Sequence, residues 1–236
     1  MLKADLHIHT NHVQKKREGH YSPKEAINIL SKKGYEVLAL TEHASLHGCF
    51  IKKTYKDALN SYYHFKDYAK KKNVLLIPGV EKYVGGGEVL ILNYRDFDKI
   101  KEFEDLEKVR EENGLIVAPH PFYPMGLRKK LIENIKYFDA IEYSMYYLNH
   151  FNYFNNKAEK TAKKYNKPLL ANSDGHWKFQ LGRNYSLIDS NKNVDSVLEA
   201  IRKNKVKIKI EPLKFPEFVF LTGWTMQGKI RKLFSV

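Results

Sequence analysis

Two pairs of residues in this sequence are spaced to chelate. His7 and His9 stand two apart in Asp5-Leu6-His7-Ile8-His9-Thr10, and Asp174 and His176 stand two apart in Ala171-Asn172-Ser173-Asp174-Gly175-His176. On an extended strand residues i and i+2 point to the same side, so each pair aims two donor atoms at one point. Two histidines so placed are a common zinc chelate. The alternative is ordinary polar residues at a strand end, whose interior imidazoles would then need other partners. Single candidates occur in Thr41-Glu42-His43, Gly79-Val80-Glu81 and Pro119-His120-Pro121-Phe122. Alone, each reads as a hydrogen-bonded structural histidine or a salt-bridged glutamate. Together they fall at the ends of successive expected strands, where they would surround one pocket. Carboxylates mixed with several neutral imidazoles suit zinc, manganese or iron, not the all-oxygen coordination that magnesium prefers.

The elements that must position these residues alternate. Short apolar, β-branched runs predict strands at 4–9, 37–41, 74–78, 88–92, 115–118, 140–143, 168–172, 185–188 and 206–210. Amphipathic runs predict helices at 23–33, 55–72, 97–112, 151–165 and 194–203. The helix at 23–33 has Ser22 as N-cap, Pro23 at the first helical position and Gly34 as its stop. Such alternation argues for parallel βαβ units. About seven units argue for an α/β fold closed into a TIM-like barrel, with an open doubly wound sheet as competitor. The chemistry-bearing residues then sit at the C-terminal ends of strands, the face that carries the site in β/α barrels. Residues 1–214 form this domain, and residues 215–236 are an apolar, basic tail, a helix packed on the barrel or a partner-binding arm.

Composition bounds the rest. The 236 residues carry a net charge of +14, with a pI near 9.5. Such a field gathers anions, although a solvated lysine-rich surface gives the same number. Cys49 is the only cysteine, so no intrachain disulfide forms and a reducing, cytoplasmic setting is expected. No apolar leader core and no membrane-spanning run are evident.

The ordered set Asp-Leu-His7-Ile-His9-Thr, Thr-Glu-His43, Gly-Val-Glu81, His120-Pro and Ser-Asp174-Gly-His176 resembles the motif series of the PHP (polymerase and histidinol phosphatase) phosphoesterases. It spans residues 5 to 176. The resemblance implies a distorted seven-stranded (β/α) barrel holding two or three divalent transition metals (Zn, Mn or Fe). By it, His7, His9, Glu81 and Asp174 hold one metal, and Glu81 bridges to a second held by His120. His43 and His176 hold a third, with a residue from the loop after the first strand. Glu18 falls where many members have aspartate, and His12 and His20 are rivals in the same loop. Glu42 replaces the usual aspartate of Thr-Asp-His. Glu142 stands at the fifth-strand position, with Asn149 and His150 close behind. The implied activity is hydrolysis of phosphate esters by a metal-held hydroxide, positioned by Glu81 and Asp174.

Arg183 and Arg128 are candidates to fork onto substrate phosphate, or are surface arginines. Gly85-Gly86-Gly87 reads as a hairpin turn more readily than as an anion nest. Tyr143, Tyr146, Tyr147, Phe122, Tyr123 and Trp177 either stack a base or pack. Cys49 has no partner pattern of a nucleophile. Three functions follow: a phosphoesterase on a small phosphorylated metabolite or nucleotide, a nuclease that uses the positive charge, or a non-catalytic RNA-binding barrel. The last predicts degraded metal motifs, which this sequence lacks.

Overall fold

The structure is a computed structural model that describes residues 1–13, 20–48, 51–54, 56–124 and 126–234. It describes only the backbone at 45–48, 51–54 and 226–234. Glu18 and Cys49 lie outside the described residues.

The strands are β1 (Leu2–Ile8), β2 (Val37–Leu40), β3 (Ser45–Gly48), β4 (Ile51–Thr54), β5 (Leu75–Val84), β6 (Gly87–Leu92), β7 (Leu115–Ala118), β8 (Ala140–Tyr143), β9 (Leu169–Ala171), β10 (Tyr185–Ile188) and β11 (Val206–Lys209). The α-helices are α1 (Pro23–Lys32), α2 (Asn60–Lys71), α3 (Leu106–Glu111), α4 (Lys129–Glu133), α5 (Tyr153–Lys164), α6 (Val194–Arg202) and α7 (Phe215–Phe234). Nine strands form one sheet in the order β11-β10-β1-β2-β5-β6-β7-β8-β9. Its two ends, β11 and β9, lie side by side, so the sheet curls into a nearly closed barrel. The expected α/β barrel is present, with nine strands rather than seven.

The sheet is mixed. β1, β2 and β5 run parallel, as do β7, β8 and β9. β6 is antiparallel to both neighbours, and β10 is antiparallel to β1 and β11. The β5–β6 antiparallel pair follows from Gly85 and Gly86. Both have positive φ, 55° and 98°, the backbone that a two-residue hairpin turn of the favoured hand requires. β3 and β4 pair antiparallel as a separate two-stranded sheet.

Local chemistry explains the helix ends. Ser22 accepts from Glu25 N–H while Glu25 accepts from Ser22 N–H, a reciprocal cap that starts α1 on Pro23. The expected helix at 97–112 is broken into two short 3-10 turns and α3. Asp105 draws the N–H groups of Lys101 and Glu102 to its side chain, which competes with continuous helical bonding.

Apolar residues fill the barrel and the layer between sheet and helices. One cluster gathers Leu6, Ala39, Ile77, Leu90, Val117 and Leu170 from six strands. Others pack α1 and α2 against β2 and α3 against β7. A small fourth cluster joins α7 to the barrel through Met145, Leu213 and Leu221, with Tyr146 and Phe218 against it. Among the described residues no helix is long and apolar enough to cross a membrane.

Candidate metal centre

The strand ends converge as the spacing requires. β1 presents His7 and His9, both fully buried. Its end is tied to the 172–176 segment, because His9 N–H donates to Gly175 O and Ile8 bridges Gly175 in parallel. His43 follows β2 and bridges Glu81 on β5. His120 follows β7 and Asp174 follows β9. These last two have positive φ, 27° and 43°, a backbone region sparsely used by non-glycine residues and common where side chains are aimed at a site.

The donor atoms lie close together. His7 Nε2 is 3.0 Å from His9 Nε2, 3.4 Å from Asp174 Oδ1 and 3.6 Å from Glu81 Oε1. His9 Nε2 is 3.4 Å from Asp174 Oδ1 and 3.5 Å from Glu81 Oε2. His43 Nδ1 is 2.9 Å from Glu81 Oε2, and His120 Nε2 is 3.2 Å from Glu81 Oε1. His176 Nδ1 is 3.6 Å from Asp174 Oδ1. The His9 ring stacks against both His43 and His176, with centroids 4.5 and 4.3 Å away.

Four groups of side chains could each hold an ion: His7, His9 and Glu81; His7, His120 and Asp174; His9, His43 and His176; and His43, Glu81 and Glu88. The fit to metal rests on one contact. His7 Nδ1 lies 3.0 Å from Glu142 Oε1, so Nδ1 carries a proton and Nε2 is the nitrogen that would face a metal. That nitrogen faces a second imidazole nitrogen and two carboxylates. Carboxylates buried together need positive charge among them, from imidazole protons or from a metal that replaces those protons. His9 Nδ1 adds a buried nitrogen with no hydrogen-bond partner.

The protonation pattern has the same origin. Burial alone would discharge His7, but Glu142, Asp174 and Glu81 outweigh it and hold its pKa well above the usual value. His9 moves the other way: burial, then His176 and His43, depress it well below. Burial likewise opposes the charge on Glu81 and Asp174. The surrounding imidazoles prevail, and both carboxyls stay below their ordinary range. Burial also acts against charge on His120, and its bond to Glu81 with nearby Asp174 overcomes this and raises it to about 10. Burial, with Glu81 next, pushes Glu88 up to about 7. Raised and lowered groups side by side in one cleft are the pattern that acid–base and metal chemistry requires.

Around the cluster lies a supporting layer. Glu142 receives His7 Nδ1–H, the His120 N–H at 2.9 Å and Asn172 Nδ2–H at 2.8 Å. Asn172 in turn accepts from Leu6 N–H. Glu42 accepts from Thr10 N–H, the Thr10 hydroxyl and Ser61 Oγ–H. Its extra methylene thus serves a link between β1 and α2.

Of the sequence candidates, the structure brings together His7, His9, His43, Glu81, His120, Asp174 and His176, with Glu142 directly behind them. His12 lies 2.9 Å from His64 on α2. His20 stacks on Trp177 at 3.5 Å. Asn149 and His150 are exposed. Arg183 is held by Glu211 at 2.7 Å and Glu217 at 2.6 Å. Arg128 lines a separate cavity of about 410 Å³ with Lys129 and Lys157. Sequence reasoning missed Glu88, whose carboxylate is 3.8 Å from His120 Nε2. The hairpin held the signal. Turn residues Gly85 and Gly86 pair Glu81 with Leu90, so Glu88, two residues from Leu90, shares the face of Glu81.

A pocket of about 490 Å³ opens on the cluster. His43, Glu81, Glu88, His120, Asp174 and His176 line its inner side. Tyr123, Met145, Tyr146 and Phe154 come from the barrel, and Phe218, Leu221, Thr222, Trp224 and Thr225 come from α7. Among the described residues that line it, none is Lys or Arg.

Comparison with known proteins agrees with this geometry. Residues 152–206 match the family model for the PHP-associated region, PHP_C. The chain is 31% identical over 134 residues to the uncharacterized protein MJ1587 of Methanocaldococcus jannaschii, a match covering 52% of this chain and 70% of that protein. It superposes with a TM-score of 0.69 and 16% identity on a two-domain Bacteroides vulgatus protein containing a predicted PHP-like metal-dependent phosphoesterase. That match covers 89% of this chain but 65% of the other, so the chain spans less than two thirds of that structure. It also superposes on Endonuclease Q in complex with a 27-mer duplex carrying an abasic lesion, with a TM-score of 0.55 and 18% identity over 86% of this chain and 55% of that one. At these identities the superpositions speak to the fold. The fold is that of PHP-like proteins, and residues 152–206 match the PHP-associated region.

Proposed function

We propose that this protein is a metal-dependent phosphoesterase that acts on a small phosphorylated molecule. The observation that carries the reading is the meeting of His7 Nε2, His9 Nε2, Glu81 and Asp174 within one buried space, at the floor of a pocket of about 490 Å³. His7, His9, Glu81, His120, Asp174, His43 and His176 would hold two or three transition metals such as zinc, manganese or iron. Glu18 stays a candidate from the first loop, and Glu88 joins as a further ligand. Glu142 is better placed as the partner that orients His7 than as a ligand, since both its oxygens are engaged.

Bound metals supply Lewis acidity toward phosphoryl oxygens and lower the pKa of water. The chain's own residues do the rest. Glu81, reached by four imidazoles, holds the centre together, and Asp174 lies opposite it. Low pKa values keep both as anions near neutral pH. The apolar pocket wall excludes water from the phosphoryl site.

The charge of +14 favours a second reading, a nuclease or phosphodiesterase on nucleic acid. Tracking a polyanion needs cations along a groove. The described pocket lining carries none, and α7 stands over it. The small-substrate reading is therefore preferred.

The test is elemental analysis of the purified protein, together with hydrolysis of an aryl phosphate, its diester and a short DNA. Each assay is run before and after chelation, and again with manganese or zinc restored. Two or more metal equivalents with chelator-sensitive monoester hydrolysis are expected, and His7→Ala or Asp174→Ala should abolish turnover. Retained activity in those variants would remove the site assignment. Preferential cleavage of DNA would move the reading to the nuclease.

A further inference from the structure

We propose that the substrate of this centre is a phosphate ester of an aromatic or flat apolar alcohol, and that α7 supplies the wall that selects it. The inference rests on the phosphoesterase reading above.

The pocket has two unlike halves. One is the histidine and carboxylate cluster, where a phosphoryl group would sit. The other, where the alcohol portion must lie, is formed by Tyr123, Met145 and Phe154 of the barrel and Phe218, Leu221 and Trp224 of α7. Trp224 meets the His176 ring edge-on at 5.1 Å, so the aromatic wall begins beside the cluster with no gap for a polar layer.

Apart from the Trp224 indole N–H, the side-chain polar groups of this wall are already engaged. The Tyr123 hydroxyl donates to Tyr146 O. The Tyr146 hydroxyl is bonded to Thr222 Oγ1, and the Thr222 and Thr225 hydroxyls donate to Phe218 O and Leu221 O. Gln180 accepts from the N–H groups of His176 and Trp177 and donates to Asp174 O. Ser144 Oγ accepts from Tyr146 N–H. A polyol, sugar or polyphosphate bound here would lose water and gain few partners in return, and that loss disfavours it. A ring would meet carbon and π surface on both sides.

The helix is held in position to do this. Arg183 bonds Glu217 in its first turn and Glu211 before it, and Phe218 stacks on Tyr146 at 4.8 Å. Val219, on the same helix, is 52% exposed and does not line the pocket.

The experiment is calorimetric titration of metal-loaded full-length protein with phenylphosphonate and with 2,3-dihydroxypropylphosphonate, two non-hydrolysable probes of similar size. Phenylphosphonate should bind on the order of tenfold tighter or more. Phe218→Ala and Leu221→Ala should each erode that ratio, while Val219→Ala leaves it unchanged. Circular dichroism of each variant checks that the helix persists, and the wild-type ratio stands as a test even if a variant unfolds. Equal binding of the two probes, or tighter binding of the polyol, overturns the aromatic-substrate proposal and leaves the phosphoesterase reading standing. Failure of both probes to bind overturns the aromatic-substrate proposal, and if the protein also takes up no metal it overturns the phosphoesterase reading with it.

Discussion

His7 and Glu142 form the bond on which the centre turns. His7 Nδ1–H donates to Glu142 Oε1 at 3.0 Å, and this fixes the tautomer that points Nε2 at His9, Asp174 and Glu81. Glu142→Gln keeps the shape but removes the charge, and the amide NH2 can turn toward Nδ1 and reverse the tautomer. Loss of such supporting carboxylates costs about 10- to 100-fold in metal affinity or activity. Metal titration of Glu142→Gln should show a fall in that range, with circular dichroism unchanged. Affinity equal to wild type would mean that Glu142 does not set the direction of His7.

Metal removal should lower stability. Without metal, the imidazoles of His7 and His9 and the carboxylates of Glu81 and Asp174 crowd one buried space, and protons alone must balance the charge. Binding to the folded state alone adds roughly 3 kcal/mol at a free metal concentration about a hundredfold above Kd. For a chain of this length that is about 5–10 °C in Tm. Thermal unfolding with and without chelator measures it, and identical midpoints would argue against a bound metal.

Glu88 should share a metal with His43 and Glu81. Glu88→Gln is expected to weaken one metal equivalent by on the order of tenfold and leave the metal nearest His7 in place. His43→Ala should weaken the same equivalent, and the two effects should be less than additive in the double variant, as for groups serving one ion. Additive losses would place Glu88 outside that site.

Much of this centre was legible before any coordinates. The i, i+2 pairs on β1 and after β9 needed only strand periodicity, and Ser22, Pro23 and Gly34 announced the ends of α1. What escaped was strand direction. A period of two shows which face a residue occupies but not which way its strand runs, so β10, which runs against β1 and β11, was expected as a parallel member. Glu88 escaped because its nearness to Glu81 depends on the exact register of the hairpin read at Gly85–Gly87. The break before α3 lay in a side-chain competition at Asp105 that periodicity does not carry. α7 was visible as an apolar tail, yet its place over the pocket depends on Arg183, read from sequence as a phosphate ligand or surface residue and found bound to Glu211 and Glu217.

That arrangement makes Arg183 the test of whether α7 is held by electrostatics. Its side chain is 11% exposed. It spans Glu211, Glu217 and the Pro212 carbonyl, a planar fork that lysine cannot reproduce. Arg183→Ala leaves two carboxylates without their cation at the start of α7 but touches neither the barrel strands nor the metal cluster. The expected result is local: faster proteolytic cleavage near residues 211–217, a Tm within a few degrees of wild type, and metal content unchanged. Arg183→Lys should fall between the two, since it restores the charge without the paired geometry. If the cleavage rate of Arg183→Ala matched wild type, the packing of Phe218 and Leu221 on Tyr146 and Met145 would by itself be enough to hold the helix over the pocket.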